Sequence, residues 1–268
     1  MTERHRRISS VASIGLVALL TVLGTGCSSS GGTGSSPSTG TSSPSPAPAS
    51  ASSRAPIHGT YSPSIVPTNF VATIDNRYWP LKPGTAYHYE GVRGTTPQTD
   101  DEVVTNETKQ ILGITCTVVR DTVSEHGVPI ERTFDWYAQD GQGNVWYMGE
   151  LSLEKEHGRF VKASDSWQSG VDGAQPGIIM PADPQPGDSY RQEYYPPGQA
   201  LDEAHVLRLD GRVAAPYGRY TGVLVTSEYS PLEPQTEQKY YAPGVGEIAE
   251  VVVQGHHEAF RLVSVTKG

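Results

Sequence analysis

Short segments that alternate apolar with polar residues, or that are rich in β-branched residues, recur every 8–12 positions from about residue 85. A period of two places successive side chains on opposite faces of a strand, so the pattern predicts half-buried β-strands. Turn sequences such as Lys82-Pro83-Gly84 separate them, because proline presets φ and glycine tolerates a positive φ. The predicted fold class is therefore all-β and antiparallel. The predicted strands are 85–92, 102–108, 115–123, 131–138, 145–150, 190–195, 205–209, 221–228, 237–241, 247–253 and 258–265.

Three of these segments match later ones in the same order and at a nearly constant offset. The matches are PGTAY at 83–87 with PGDSY at 186–190, TCTVV at 115–119 with TGVLV at 221–225, and WYA at 136–138 with YYA at 240–242. They predict an internal duplication with units of about 79–160 and 182–266, although any two β-meanders can share such turns. A meander has one apolar face and two open edges, so we expect the two units to form one domain, 57–268, as a sandwich or a curled partial barrel.

The N-terminus has the features of a bacterial lipoprotein export signal. Arg4, Arg6 and Arg7 precede a 13-residue apolar stretch, 11–23, which is too short for a normal membrane span. Small residues then lead to Cys27, so that 1–27 resembles a signal peptide with a lipobox, and the resemblance implies that Cys27 carries the lipid. Residues 28–53 are all Ser, Gly, Thr, Pro or Ala, and we predict a disordered linker over 28–56.

The net charge limits the classes of binding partner, and the cysteine content limits disulfides and metal sites. The chain carries a net charge of −9, so binding to nucleic acid is disfavoured. The lipid on Cys27 would join the protein to the cell membrane, facing outside the cytoplasm. Cys116 is the one cysteine beyond Cys27, which leaves no disulfide within the domain and no thiolate metal site. We expect Cys116 to be a small buried residue rather than a reactive thiol.

No local catalytic motif is present in the sequence. It lacks G-x-S-x-G, H-E-x-x-H, a Walker loop, G-x-G-x-x-G after a strand and Cys-x-x-Cys. We therefore predict no catalytic residue, cofactor or metal site, although an active site can also assemble from distant strands. His256-His257-Glu258 holds metal-ligand residue types, but neighbours on a strand point to opposite faces. The DGQGN segment, 140–144, is predicted to be a hairpin turn rather than a calcium loop.

Aromatic residues form the richest candidate binding surface. A solvent-facing row of tryptophans would favour glycan contact, and a dry cavity lined by aromatic rings would favour an apolar ligand. The same rings can equally fill a core. The candidate ligand-binding residues are Trp136, Trp146, Tyr194, Tyr195, Tyr240 and Tyr241.

Four segments in order also resemble a family of uncharacterised bacterial envelope lipoproteins. They are YWPLKPG at 78–84, DWYAQDGQGNVWYMGE at 135–150, GDSYRQEYY at 187–195 and YYAPGVG at 240–246, and the resemblance spans about 69–265. The family has a W-P-L-x-P-G opening and a Y-Y-A-P-G-V-G ending. The resemblance implies a secreted or lipid-anchored β-rich domain and implies no activity or site residues.

The leading functional prediction is a lipid-anchored, extracytoplasmic binding module of the bacterial envelope. Its partner would be a glycan, an apolar small molecule or an envelope protein. One alternative is a cell-surface hydrolase whose carboxylates, for example Asp135, Glu150 and Glu193, converge in a cleft with raised proton affinity. Another is a structural subunit of an envelope complex, which predicts a large exposed apolar patch.

Overall fold

A computed structural model of the chain describes residues 49–268. The predicted signal peptide, the Cys27 lipidation site and residues 28–48 of the predicted linker lie outside the described residues. No helix within 49–268 has the length and apolar character needed to cross a membrane.

The described residues form eighteen strands, one helical turn and two short 3-10 helices. The helical turn α1 is Ala51–Arg54, and the 3-10 helices are Pro67–Asn69 and Pro196–Gly198. The strands are β1 (Phe70–Val71), β2 (Ile74–Asn76), β3 (Trp79–Leu81), β4 (Ala86–Arg93), β5 (Thr96–Ile111), β6 (Ile114–Glu125), β7 (Val128–Asp140), β8 (Val145–Glu156), β9 (Arg159–Lys162), β10 (Trp167–Gln168), β11 (Gln175–Met180), β12 (Ser189–Arg191), β13 (Glu193–Tyr194), β14 (Glu203–Ala215), β15 (Gly218–Tyr229), β16 (Thr236–Ala242), β17 (Gly246–Gln254) and β18 (Glu258–Thr266). The all-β prediction is confirmed, and each predicted strand overlaps an observed one.

Sixteen strands belong to one antiparallel sheet, whose main path is β12-β14-β15-β16-β17-β18-β4-β5-β6-β7-β8-β11-β13. β18 pairs with β4, with Phe260 opposite Gly91, so the two predicted units join edge to edge. Register shifts interrupt β14–β15 and β5–β6, and such bulges increase the local twist. The sheet curls until it is nearly closed, which corresponds to the partial barrel of the two expected architectures.

The two ends of this path meet at a seam formed by β11, β12 and β13. β12 and β13 are separated by Gln192 alone, so the chain itself links the two ends of the sheet. The Gln192 N–H donates to the Asp202 carbonyl at 2.7 Å. Gly177 of β11 passes so close that a Cβ there would lie 2.2 Å from the Gln192 carbonyl carbon. Only a glycine fits at this crossing without moving the backbone.

Residues 49–64, here called the N-terminal strap, lie against the seam. The Arg191 backbone N–H donates to Ala55 O at 2.8 Å. The Arg191 guanidinium donates to Pro56 O at 3.1 Å and to Ile57 O at 2.7 Å. Arg191 therefore binds the strap through three consecutive carbonyl groups.

The strap includes the last residues of the predicted linker. Within 49–56, Ala51 and Ala55 are buried, and Ser52 donates a hydrogen bond to Asp188. Their composition resembles that of a flexible linker, but small side chains also allow a segment to lie close to a strand. The carbonyl groups of the strap supply acceptors for Arg191, which offsets the entropy lost on ordering.

A second, two-stranded sheet consists of β2 and β3. Its Trp79 ring lies 5.8 Å from the Tyr137 ring on β7 and 5.7 Å from the Tyr241 ring on β16. Tyr137 and Tyr241 are the positions that the predicted duplication makes equivalent. This small hairpin thus packs between the two halves of the curl.

The turns that precede β4 and β12 share a hydrogen-bond pattern. The Gly84 N–H donates to Val104 O and the Val104 N–H to Thr85 O, at 2.8 and 2.9 Å. The same two bonds join Gly187 to Val206 and Val206 to Asp188, both at 2.9 Å. The strand orders β4-β5-β6-β7-β8 and β12-β14-β15-β16-β17 also correspond. These features agree with the duplication, which stays a prediction.

Candidate functional site

The six candidate aromatic residues do not share one surface. Trp136 and Trp146 are 6% and 2% exposed, so the solvent-facing row that would favour glycan contact is not formed. The Lys109 ammonium covers Trp136, with Nζ 3.3 Å from the ring centroid. Tyr241 is a core residue whose hydroxyl donates to Glu228 at 2.8 Å. The remaining candidates, Tyr194, Tyr195 and Tyr240, are partly buried.

Trp146 and Tyr194 lie near the N-terminal strap. The Trp146 indole N–H donates to Asp140 at 3.0 Å, which fixes the ring beside the β7–β8 hairpin. Tyr194 packs on the strap residue Tyr61, with ring centroids 5.2 Å apart. The Tyr61 hydroxyl donates to Pro176 O at 2.6 Å. The strap and these aromatic residues together form the wall of a concave surface.

Two cavities open along the strap, and we call them together the strap groove. One has a volume of about 270 Å³, and the other about 340 Å³. Arg54 lines both, so we treat the two cavities as neighbouring compartments of one groove. The first is lined by Ser53, Arg54, Pro56, Thr60, Tyr61, Ser62, Pro63, Ser64 and Trp146. The second is lined by Arg54, Thr68, Asn69, Phe70, Val71, Asp140, Gly141 and Gln142.

The strap groove offers hydroxyl groups, aromatic edges and a neutralised cation. Five of the nine residues around the first cavity carry a hydroxyl group. The Arg54 guanidinium lies 4.0 Å from the Asp140 carboxylate and donates to Gln142. Because Arg54 is paired with an acid, the groove has no excess positive charge to select an anion. Mixed aromatic and hydroxyl surfaces are suited to uncharged polar ligands.

Sequence reasoning did not find this groove, because half of its lining belongs to the strap. Serine, threonine and proline in that segment have the composition of a linker. The aromatic residue Tyr61, close behind the low-complexity stretch, was the one local indication of packing.

A second region, inside the curl, contains two of the carboxylates named by the hydrolase alternative. Asp135 and Glu150 are paired opposite each other on β7 and β8. The Tyr147 hydroxyl lies 2.6 Å from Asp135 Oδ1 and 3.1 Å from Glu150 Oε2. Burial raises the pKa of Asp135 to about 7, and the nearby Glu131 and Asp100 carboxylates act in the same direction, whereas Tyr147 and Lys239 oppose it.

The third of those carboxylates, Glu193, is connected to Tyr147 through Trp167. Glu193 accepts a hydrogen bond from the Trp167 indole N–H at 2.8 Å, and Trp167 packs edge-on against Tyr147 at 5.4 Å. The structure therefore brings the three carboxylates into one neighbourhood. Asp135 and Glu150 are only 4% and 1% exposed, however, and neither compartment of the strap groove is lined by them.

The second half has a related acidic interior, built around Lys239. Its ammonium lies 3.6 Å from Glu228 and 3.7 Å from Glu250. Burial, reinforced by Glu250, raises the pKa of Glu237 well above its usual range. Among the described residues, fourteen acidic side chains are buried against three basic ones, Arg93, Arg191 and Lys239. An interior with this imbalance retains protons on some of its carboxyl groups more tightly than water-exposed acids do.

The metal-ligand residue types do not define a metal site. His256 contacts Glu258 at 3.0 Å, whereas His257 contacts the Gly94 carbonyl at 3.1 Å, so the adjacent histidines have different partners. Carboxylate oxygens of Asp100, Glu102 and Asp121 lie within 4.8 Å of one another. Acidic oxygens alone do not establish a cation site, and we assign none.

Two further sequence expectations concern a turn and a thiol. Asp140 Oδ1 accepts the N–H groups of Gln142 and Asn144, at 2.9 and 3.1 Å, which closes the 140–144 segment as a hairpin turn. Cys116 is fully buried and unpaired, and burial raises its pKa to about 12. Its thiol is therefore protected in two ways, by lack of access and by protonation.

The structural-subunit alternative predicts a large apolar surface patch. Val66, Leu112 and Val171 are each more than 40% exposed. They lie near one another, because Leu112 packs against Gly170 and Pro67 lies beside Gly113. This group is small, and nothing in the described residues indicates what would cover it.

Comparisons with known proteins complete the description of the site. No family model matches the chain, and no curated protein matches it. Its fold is similar to that of a protein from Bacteroides fragilis described as exported, with a YmcC-like fold: the TM-score is 0.41 and the identity 11%, over 72% of this chain and 100% of that one. It is also similar to a protein from Parabacteroides distasonis described as a lipoprotein, with a TM-score of 0.34 and an identity of 13%, over 71% and 99% of the two chains. At TM-scores below 0.5 these likenesses carry no conclusion about the function of this chain.

Proposed function

We propose that this chain is a lipid-anchored binding module on the outer face of a bacterial membrane and that the strap groove binds a neutral saccharide. The observation that carries the proposal is the groove itself, whose first cavity is lined by four Ser and Thr hydroxyl groups beside the nearly buried rings of Tyr61 and Trp146. A sugar presents C–H groups to aromatic edges and hydroxyl groups to Ser, Thr and Tyr. The cavity volumes lie near the lower end of the roughly 300–1,000 Å³ typical of ligand pockets.

The anchor is supported by the sequence of residues 1–27. Metabolic labelling with palmitate should label the wild-type protein and fail to label the Cys27→Ala variant. Equal labelling of the two proteins would contradict lipid attachment at Cys27.

A glycan array of envelope polysaccharide fragments, followed by calorimetric titration of the bound sugars, tests the groove. Ser64→Trp places a large side chain at an exposed lining position, and we expect it to weaken saccharide binding at least tenfold. Thr95→Trp is the matched control, because Thr95 is an exposed turn residue outside both compartments. The control should bind as the wild type does. An array without any bound glycan, or unchanged affinity in Ser64→Trp, would contradict the proposal.

The hydrolase alternative has one observation in its favour, the convergence of Asp135 and Glu150 around Tyr147. Their enclosure argues against substrate access. Hydrolysis of envelope glycans by the wild-type protein, abolished in Asp135→Asn, would favour the hydrolase over the binding module.

A further inference from the structure

The Tyr147 hydroxyl lies between two carboxyl groups. Its oxygen is 2.6 Å from Asp135 Oδ1 and 3.1 Å from Glu150 Oε2, both hydrogen-bond distances. A phenol carries one proton and can donate it to only one of them. The other oxygen–oxygen contact needs a second proton, which a carboxyl group can supply if it is protonated. Two charged carboxylates would leave one of these contacts repulsive.

The groups that face this trio are mostly acidic. Lys239 is the cation acting on Asp135, and it is already engaged by Glu228 and Glu250 on β15 and β17. Tyr147 itself is also surrounded by acids, since Glu193 faces it from β13. The titratable groups that act on Asp135 or Tyr147 are Asp100 on β5, Glu131 and Tyr137 on β7, Glu193 on β13 and Lys239 on β16. Glu102 on β5 and Asp121 on β6 act on the neighbouring Tyr137.

We propose that Asp135, Tyr147 and Glu150 form a proton-binding site in which the two carboxyl groups share one proton at neutral pH. The proton bridges the trio: one carboxyl group donates to the Tyr147 oxygen, and Tyr147 donates to the other. The proton belongs to the pair rather than to either acid. The raised pKa of Asp135, about 7, agrees with this geometry.

Proton binding couples the site to the stability of the curl. In the unfolded chain an aspartate has a pKa near 3.8, so the folded chain holds the proton more tightly. Folding then takes up one proton between about pH 4 and pH 7. The stabilisation is complete below the unfolded pKa and is lost as the pH rises through the folded pKa. Each proton taken up changes the folding equilibrium constant tenfold per pH unit.

The experiment is urea unfolding of the full chain at pH values from 4.5 to 8.5. Between pH 4.5 and 6.5, we expect the folding constant of the wild type to fall by about tenfold per pH unit more than that of Asp135→Asn. Glu150→Gln should show the same reduced dependence, and the double variant should show no further reduction, because only one proton is shared. Glu107→Gln, at an exposed position on β5, is the control and should keep the wild-type dependence.

Infrared spectroscopy of the wild-type protein provides a test that does not rely on the variants folding. At pH 6 the folded protein should show the carbonyl stretching band of protonated carboxyl groups. Glu237 also contributes to this band, so the measured quantity is the intensity lost as the pH rises from 6 to 8. A band whose intensity stays constant over that range would overturn the proposal. The proposal would also be overturned if Asp135→Asn kept the wild-type pH dependence of the folding constant. It would be overturned as well if the double variant reduced that dependence by twice as much as either single variant.

Discussion

Arg93 and Glu258 form a buried, bidentate ion pair. Arg93 Nε lies 2.9 Å from Glu258 Oε2, and Nη2 lies 3.2 Å from Oε1. The two residues stand opposite each other on β4 and β18, the strands that join the two halves of the sheet. His256 also contacts Glu258 from the more exposed side. The pair therefore sits at the junction on which the curl depends.

Removing one partner of this pair should lower the free energy of unfolding much more than removing both. We expect Arg93→Met to lower the free energy of unfolding by about 3–5 kcal/mol, because a buried carboxylate loses its cation. The double variant Arg93→Met/Glu258→Leu should recover most of that loss, since no buried charge remains. Urea unfolding at pH 7 measures both. Equal losses in the single and double variants would show that shape, rather than charge, decides the effect.

At the scale of single elements, β11 shows where the seam is tightest. A Cβ on Gly177 would lie 2.2 Å from the Gln192 carbonyl carbon and 2.6 Å from the Glu193 nitrogen. These neighbours are backbone atoms, so they cannot rotate away as a side chain can. We expect Gly177→Ala to lower the free energy of unfolding by at least about 2 kcal/mol, as overpacking does.

Gly141→Ala is the matched control for that substitution. Gly141 is an exposed turn residue, and a Cβ there would meet only the Asn69 carbonyl, at 3.3 Å. We expect a change within about 1 kcal/mol. Similar losses for the two variants in thermal and urea unfolding would contradict the assignment of the seam as the crowded crossing.

The elements also show what local sequence can and cannot predict. The long strands were predictable because alternation of apolar and polar residues, as in 85–92, and β-branched runs, as in 221–228, are both typical of strands. β11 was missed because QPGIIM contains Pro and Gly and is buried almost throughout, which removes the alternation. Residues 49–56 of the predicted linker also belong to the strap, and their contacts with Arg191 join residues more than 130 positions apart, which no local pattern encodes.

The two candidate sites also differ in how far the sequence could predict them. Asp135, Glu150 and Glu193 could be named from the sequence as carboxylates able to converge, because two of them flank one hairpin. Tyr147, which links two of them, reads as one more core aromatic. The strap groove depends on a contact between distant segments, and no periodicity or motif encodes such a contact.

At the scale of the whole molecule, each half leaves two strand edges that the other half or the seam must cover. β18 covers β4, and the seam closes the opposite side. Unpaired edges are prone to associate with other strands. The fold is therefore expected to be stable only when both halves are present.

Separate expression of 49–181 and 182–268 tests that expectation, because the first fragment then keeps the strap and β11, which close the seam. Each fragment alone should be insoluble or should form mixed oligomers, whereas co-expression should give a soluble one-to-one complex. Size-exclusion chromatography with light scattering distinguishes these outcomes. A soluble, folded monomer of either fragment would mean that the halves do not depend on each other.

The bonds that hold the strap also determine where a mechanical load enters the molecule. If Cys27 holds the protein at a membrane, a pull on the chain ahead of residue 49 first loads the contacts of Ser52 and Arg54. It then loads the carbonyl groups of Ala55, Pro56 and Ile57. The load therefore reaches both the β7–β8 hairpin and the point beside Gln192 where the ring of strands closes. Tension in the linker would thus detach the strap, which is one wall of the groove, before it disturbed the long strands. The force that holds the protein in place and the shape of its groove are therefore mechanically connected.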